Sequence, residues 1–270
     1  MKQVTQPQYD ERYYHHEELV NKRTKTHWFP SVTYIQKWSP ANPQLMEWIG
    51  NKGWEEAERI KIHRGNIGTY VHNALELMIK DGKEYTEEII DAQIFNEKEA
   101  LFVKRCLLGA MNWMNKMKEK YKDFEILEAE GCVFGNDYAG TIDLVVRMGG
   151  VIWVIDFKTS KSLYDSHRMQ VNEYRLAKKA KRCALLQLGN RTKQRYTFSE
   201  VAYKDGLKFH KQFKAIKELF YLAVSNPEPT VEEFPELFTF NPPKNVRIPA
   251  TNVRGPKVKG IKHEARKRSK

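Results

Sequence analysis

Two aspartates, a lysine, a glutamine and a tyrosine stand out between Tyr138 and Tyr174, in YAGTIDLVVRMGGVIWVIDFKTSKSLYDSHRMQVNEY. Asp156 and Lys158 close an almost wholly apolar run that begins at Val151, and Asp143 lies inside an earlier one. A carboxylate and an ammonium at the end of a buried strand are expensive unless something there needs them. A divalent cation together with a phosphodiester needs both. Taken alone, Asp-x-Lys is more simply the solvated end of a strand, its two charges paired with each other. Here other residues fall into place around it.

The elements that must position these groups can be read from the same stretch. Two apolar strands flank a short glycine turn, Arg147 to Gly150, and a helix follows. Alternation puts Val154, Asp156 and Lys158 on one face and Trp153, Ile155 and Phe157 on the other. From Val151 to Phe157 nearly every residue is apolar, as expected of a central strand covered on both sides. A hairpin would bring Asp143 near Asp156, and Gln170 and Tyr174, four apart, share one helix face.

Upstream, residues 1–27 are polar and charged without a sustained period and read as an N-terminal arm of undetermined order. Ser31 or Thr33 can cap a short helix through Trp38. Residues 42–54 predict a second helix, interrupted at Gly50 and Gly53. Trp28, Trp38, Trp48 and Trp54 are most simply core or inter-helix packing, with base stacking as the functional alternative for one of them. Residues 62–82 predict a helix ending in a C-capping glycine, with Ile67, Val71, Ala74 and Met78 as its apolar stripe. His72 lies beside that stripe, where a lone histidine is more often a core residue with a satisfied hydrogen bond. Gly68, one turn earlier, weakens the helix and is best explained by close approach of another element or of substrate. Residues 85–120 read as helical, with a break or bend left undecided and with Leu101, Leu107, Leu108, Met111, Trp113 and Met114 as core. Residues 124–134 predict a strand carrying Glu128 and Glu130 on one face, one of them an ordinary exposed residue. A hairpin about 190–193 and a helix over 205–225 complete the folded part.

G-x-x-x-H, a strand glutamate, G-x-x-D, D-x-K and Q-x-x-x-Y, in this order and in a strand–turn–strand–helix setting, resemble the RecB-like exonuclease branch of the PD-(D/E)xK nuclease superfamily. The segment Pro30-Ser31-Val32-Thr33, a tryptophan-bearing helix and then Arg64-Gly65 before His72 are similar to the phage-type and mitochondrial genome maintenance exonucleases of that branch. The resemblance implies an α/β fold with a mixed central β-sheet flanked by helices, a restriction-endonuclease-like core, and a helical N-terminal part, with the nuclease domain over residues 28–240. It implies metal ligation by His72, Asp143, Asp156 and the carbonyl of Phe157, and it favours Glu130 over Glu128 as the strand glutamate. Lys158 would orient water or offset charge on the phosphate, alongside Asp143, Asp156 and Glu130 as catalytic groups. Gln170, Tyr174, Arg64 and Lys178 would contact DNA, on a polar stripe that His167 and Lys181 extend; an ordinary solvated face is the plain alternative for the two lysines. The implied activity is a Mg²⁺- or Mn²⁺-dependent deoxyribonuclease acting on single strands or ends, in recombination, repair or replication. A structure-selective endonuclease and a non-catalytic nucleic-acid-binding protein on the same fold are the alternatives. The four-cysteine set of the iron–sulfur CRISPR-associated branch is missing, and a restriction enzyme's recognition module has no room.

Composition agrees with this class. A chain of 270 residues with 41% hydrophobic residues can bury a sizeable core. No apolar run approaches a membrane span, and the N-terminal residues show neither a secretory apolar segment nor the acid-poor composition of a transit peptide. Three widely spaced cysteines suit a reducing compartment and argue against structural zinc. The cytoplasm of a bacterium or of a phage-infected host is the expected location; a mitochondrial address fits less well. The net charge of +12 is concentrated: residues 243–270 hold ten Lys/Arg against one acid, leaving 36 basic and 33 acidic residues in the rest. Residues 241–270 thus read as a basic tail with the composition of disorder, suited to a polyanion. DNA is the expected partner, with a replication or recombination protein as a compatible second one.

Overall fold

The buried strand expected at the centre is there, and the rest of the sheet is built outward from it. The computed structural model describes residues 2–6, 11–20, 23–94, 96–225 and 227–229. Strand β6 (Val151–Lys158) pairs antiparallel with β5 (Ala139–Met148) and parallel with β7 (Arg182–Leu188). β4 (Glu125–Phe134) and β8 (Tyr196–Glu200) add antiparallel edges, giving the mixed order β4-β5-β6-β7-β8. At the β5–β6 turn Gly149 and Gly150 take φ of 62° and 76°, and the Asp123 carboxylate accepts both their N–H groups at 3.0 and 2.7 Å.

Helices cover both faces. On one, α3 (Trp54–Lys80) and α5 (Glu97–Lys120) pack against Leu144, Val146, Trp153, Ile155 and Phe157, with Trp113 wholly buried among them. On the other, α6 (Asp165–Ala177) and α7 (Tyr203–Ala223) pack against Ile142, Val145, Val154, Cys183 and Leu185. The predicted division of β6 into two faces is therefore observed. It is an α/β architecture of restriction-endonuclease-like form, with the helices α1 (Val32–Ile35), capped by the Ser31 hydroxyl at 3.0 Å, and α2 (Pro43–Lys52) ahead of α3.

Several expectations are corrected. Where the sequence left the order of the N-terminal arm open, β1 (Lys2–Gln6), β2 (Glu11–Val20) and β3 (Arg23–Pro30) form an antiparallel three-stranded sheet. Consecutive Tyr13 and Tyr14 are both buried, so no polar–apolar period marks β2. Tyr14 Oη lies 2.9 Å from Thr141 Oγ1, and Ser31 bridges Ala139, so this sheet braces the leading end of β5. Gly50 sits inside α2; only Gly53, at φ 82°, separates α2 from α3. The break left open within residues 85–120 falls between α4 (Glu87–Gln93) and α5, with Asn96 capping the latter. Leu101, Leu108 and Met111 are exposed on α5 because three residues per two turns already fill its inner face. Trp54, 69% exposed, is not a core residue, whereas Trp28 and Trp38 pack against the α6–α7 side. Residues 241–270 lie outside the described residues. Among the described residues no helix is long and apolar enough to cross a membrane.

Candidate active site

Where β5 and β6 part, a backbone donor is released and a carboxylate takes it. Their pairing stops at Leu144 and Ile155. Beyond that point Asp143 Oδ2 accepts the Phe157 N–H at 2.5 Å in place of a ladder bond. Asp143 Oδ1 lies 3.2 Å from Nδ1 of His72 on α3. Oxygen atoms of Glu130 and Asp143 and a ring nitrogen of His72 all fall within 4.8 Å of one another.

Glu130 reaches this group through a backbone exception. Its φ is 47°, a left-handed conformation that costs about 1–3 kcal/mol in a non-glycine residue. Strand alternation would have left Glu128 and Glu130 on one face, and that expectation fails here. Glu128 forms an ion pair with Lys178 at the end of α6, while Glu130 turns toward α3 and His72. Both strands exchange faces at this level: Ala129 and Leu144 point to the α3–α5 side, Val133 and Ile142 to the α6–α7 side. Glu128 is thus occupied by Lys178, while Glu130, the glutamate that the resemblance favours, is the one that faces His72 and Asp143. Gly131 serves the same swing, because a Cβ there would overlap the Glu128 carboxylate.

A second group lies on the α6 side of β6. Lys158 Nζ stands 2.7 Å from Asp156 Oδ2, and it donates to Gln170 Oε1 at 3.1 Å. The contact to Asp156 is a close ion pair without the angle of a hydrogen bond, so Asp156 Oδ2 keeps no directed donor. Gln170 Nε2 donates in turn to Tyr174 Oη at 3.1 Å. Tyr174 is 3% exposed, so the expected direct contact with DNA is corrected: its hydroxyl holds Gln170, and the ring is packed away. Gly140 permits this packing, since a Cβ there would lie 2.3 Å from the Tyr174 ring. Gly68 likewise admits Thr159, the residue after the Asp-x-Lys, with Oγ1 3.1 Å from where its Cβ would be. That is the close approach its place in a helix predicted.

The remaining expected contacts are dispersed. Arg64 is exposed on α3, about 12 Å along the helix from His72. Lys178 is tied to Glu128, and Lys181 lies past the end of α6, so the polar stripe is shorter than its spacing suggested. His167 remains within it; burial, then Lys158 and Arg168, pull its pKa to about 3, leaving a neutral ring whose Nδ1 accepts the Tyr164 N–H at 3.4 Å.

The electrostatics are those of acids crowded out of water. Burial and then the charge of Asp143 push Glu130 up to about 8. Burial lifts Asp156 to about 6 against the pull of Lys158. Burial alone would raise Asp143 and lower His72, but each stabilises the other's charge: Asp143 is held below the ordinary range, and His72 is raised to about 9. Three acids, one imidazole and one ammonium leave negative charge in excess once His72 and Glu130 give up their protons. A divalent cation fits that donor set, which is oxygen-rich with one nitrogen.

Sequence reasoning passed over Gly140 as a structural partner of Tyr174, and over Glu173. The latter is fully buried on α6 and accepts from Tyr138 Oη at 3.2 Å and Asn172 Nδ2 at 3.3 Å, facing His210 Nδ1 at 3.1 Å. It ties α6 to β5 and α7 beside Gln170 and Tyr174. An acid and an amide inside an otherwise apolar helix face were the available signal.

A mixed sheet that gathers acids and one lysine where two central strands part defines a restriction-endonuclease-like, metal-dependent nuclease. The chain belongs to the PD-(D/E)XK nuclease superfamily, whose sequence model matches residues 50–239. No curated protein matches significantly. A solved structure described as "Crystal structure of SSO0001" is similar at 14% identity, covering 57% of this chain and 88% of that one, with a TM-score of 0.25.

Proposed function

We propose that the protein is a divalent-metal-dependent deoxyribonuclease of the RecB-like branch that removes nucleotides from DNA ends, with single strands as its preferred substrate. The observation that carries the metal-dependent reading is the convergence of His72, Glu130 and Asp143 within 4.8 Å, beside the Asp156–Lys158 pair. The exonuclease reading rests on the order of the motifs and on the Pro30–Thr33 and Arg64-Gly65 segments.

In this reading His72, Glu130 and Asp143 hold the cation, and Asp156 and the Phe157 carbonyl complete its surroundings. The bound cation supplies charge neutralisation at the phosphate and a water of lowered pKa. Lys158, held between Asp156 and Gln170, orients the attacking water or offsets charge developing on the phosphate. Gln170 fixes the ammonium; Tyr174 fixes Gln170. Mg²⁺ and Mn²⁺ both suit the donors, and the imidazole tilts the choice toward Mn²⁺. An activity on DNA ends would serve recombination, repair or replication.

End-labelled single- and double-stranded DNA, RNA and a covalently closed circle, each in Mg²⁺ and in Mn²⁺, test the proposal. Linear DNA should shorten from an end while the circle survives. Efficient cutting of the circle would replace the exonuclease reading with an endonuclease on the same fold.

A further inference from the structure

At the opposite end of the sheet from the Asp156–Lys158 pair, a cleft of about 380 Å³ opens between α6, the start of β7, the end of β8 and the start of α7. Asn172, Arg175, Lys181, Arg182 and Glu200 supply its polar lining. Three cations thus face one acid, and that acid is already engaged by Arg182 at 3.3 Å. The Arg175 guanidinium is pre-set by two hydrogen bonds, at 3.3 and 3.0 Å, to the Oδ1 of buried Asn172. The Arg182 guanidinium rests over the Trp153 ring at 5.2 Å. These are fixed cations, not free-swinging surface groups.

From the rim of this cleft α7 leads away with Lys204, Lys208 and Lys211 exposed on the side opposite its buried Gly206, Phe209 and Phe213. Their axial spacing is about 4.5–6 Å, close to the scale of about 3.4 Å per charge along one strand of a duplex. Three of the four Lys/Arg residues on α3 are paired along their own helix, Arg59–Glu56, Lys61–Glu58 and Lys80–Glu76; Arg64 is the exception. Among the described residues no carboxylate lies in ion-pair range of Lys181, Lys204, Lys208 or Lys211. A protein interface wants an apolar centre. This half of the helix offers three lysines beside only two exposed apolar side chains, Tyr203 and Leu207, while Leu219 and Leu222 lie beyond the lysines.

We infer that the cleft and the first half of α7 form a second nucleic-acid surface, which grips the phosphate backbone of substrate away from the scissile bond. The inference rests on the nuclease reading and adds where the rest of the strand lies. Arg182 stands five residues along β7 from Gln187, the partner of Lys158. At about 3.3 Å per residue Arg182, on the far wall of the cleft, is about 17 Å from Lys158 along the sheet, while Asn172 on the α6 wall is nearer. That distance corresponds to about five base steps.

The test compares wild type with Lys181→Gln/Lys204→Gln/Lys208→Gln/Lys211→Gln, all exposed positions. Affinity for fluorescent DNA of about 5 and about 20 nucleotides is measured across a salt series in EDTA. For the longer DNA the variant should bind about tenfold or more weakly, with the slope of log K against log salt flatter by about 2–3, at 0.7–0.9 per phosphate. For the shorter DNA, affinity and metal-dependent cleavage should match wild type. Equal slopes and equal long-DNA affinity would overturn the inference and return this face to an acidic protein partner or to solubility. Because binding is read without metal, a wild type that never cuts the short DNA would defeat the nuclease reading and leave the binding comparison intact.

Discussion

Gly140→Ala is the sharpest perturbation of the site that touches none of its charged groups. The added methyl carbon would lie 2.3 Å from Tyr174 Cε1, 2.6 Å from Cζ and 2.7 Å from Oη. Ordinary carbon contacts need about 3.5 Å or more, so the ring must retreat by about 1 Å. Tyr174 is buried and cannot retreat into solvent. Overpacking of this kind costs about 1–3 kcal/mol, which lowers Tm by about 2–12 °C in a domain of this size. The displaced hydroxyl also leaves Gln170, which then holds Lys158 less well, since the two hydrogen bonds are in series at 3.1 Å each. Losing one such bond is worth about 1 kcal/mol, so turnover should fall roughly five- to tenfold beyond any loss of folded protein. Tyr174→Phe separates the effects: it keeps the ring, spares most of the stability and should show the rate loss alone. Thermal melts in EDTA, with single-turnover cleavage well below Tm, read the two quantities. A Gly140→Ala protein with unchanged Tm and unchanged rate would refute the reasoning, because the close approach would then be absent.

Further outcomes follow from the same geometry. His72→Ala should weaken Mn²⁺ binding by calorimetry while Tm in EDTA changes little, since the ring is 27% exposed; a large Tm loss with intact affinity would make it a core residue. Binding of Mn²⁺ should release protons, because His72 and Glu130, raised to about 9 and about 8, are protonated at neutral pH and must lose those protons to ligate. Affinity should therefore climb from pH 6 to pH 9 and level off above. In EDTA the folded state holds protons that the unfolded chain has released, Glu130 from about pH 4.5 to 8 and His72 from about 6.5 to 9. Stability should accordingly fall as pH rises through that window, as melts at several pH values will show. Deleting residues 243–270, with their ten basic residues, should flatten the salt slope of DNA binding by about two to four and spare saturated turnover.

Much of the site was legible because it sits on the most regular part of the chain. In β6 the period of two divides Asp156 and Lys158 from Phe157 without help from tertiary structure, and Gln170 and Tyr174 follow helix geometry. The face switch at Glu130 was not legible. Nothing in a glutamate announces a positive φ, and alternation predicted the wrong side of the sheet. The N-terminal strands escaped for a related reason: Tyr13 and Tyr14 are buried back to back where β2 meets β5, so local pattern yields to tertiary packing. On α5 hydrophobicity overstated burial, because Leu101, Leu108 and Met111 lie beyond the stripe that the sheet can cover. Tyr174 shows the reverse case, a motif residue whose place was predicted and whose contact was not: it acts through Gln170.

The central claim is that acids from β4, β5 and β6, with His72, would hold a divalent cation on which phosphodiester hydrolysis beside Lys158 depends. Cleavage of end-labelled DNA by wild type and by Asp156→Ala, in Mg²⁺, in Mn²⁺ and in EDTA, tests it most directly. Wild type should cut in either metal and not in EDTA, and Asp156→Ala, folded by its melt, should lose about a thousandfold or more in rate. A wild type that binds DNA yet leaves it uncut in both metals would contradict the account.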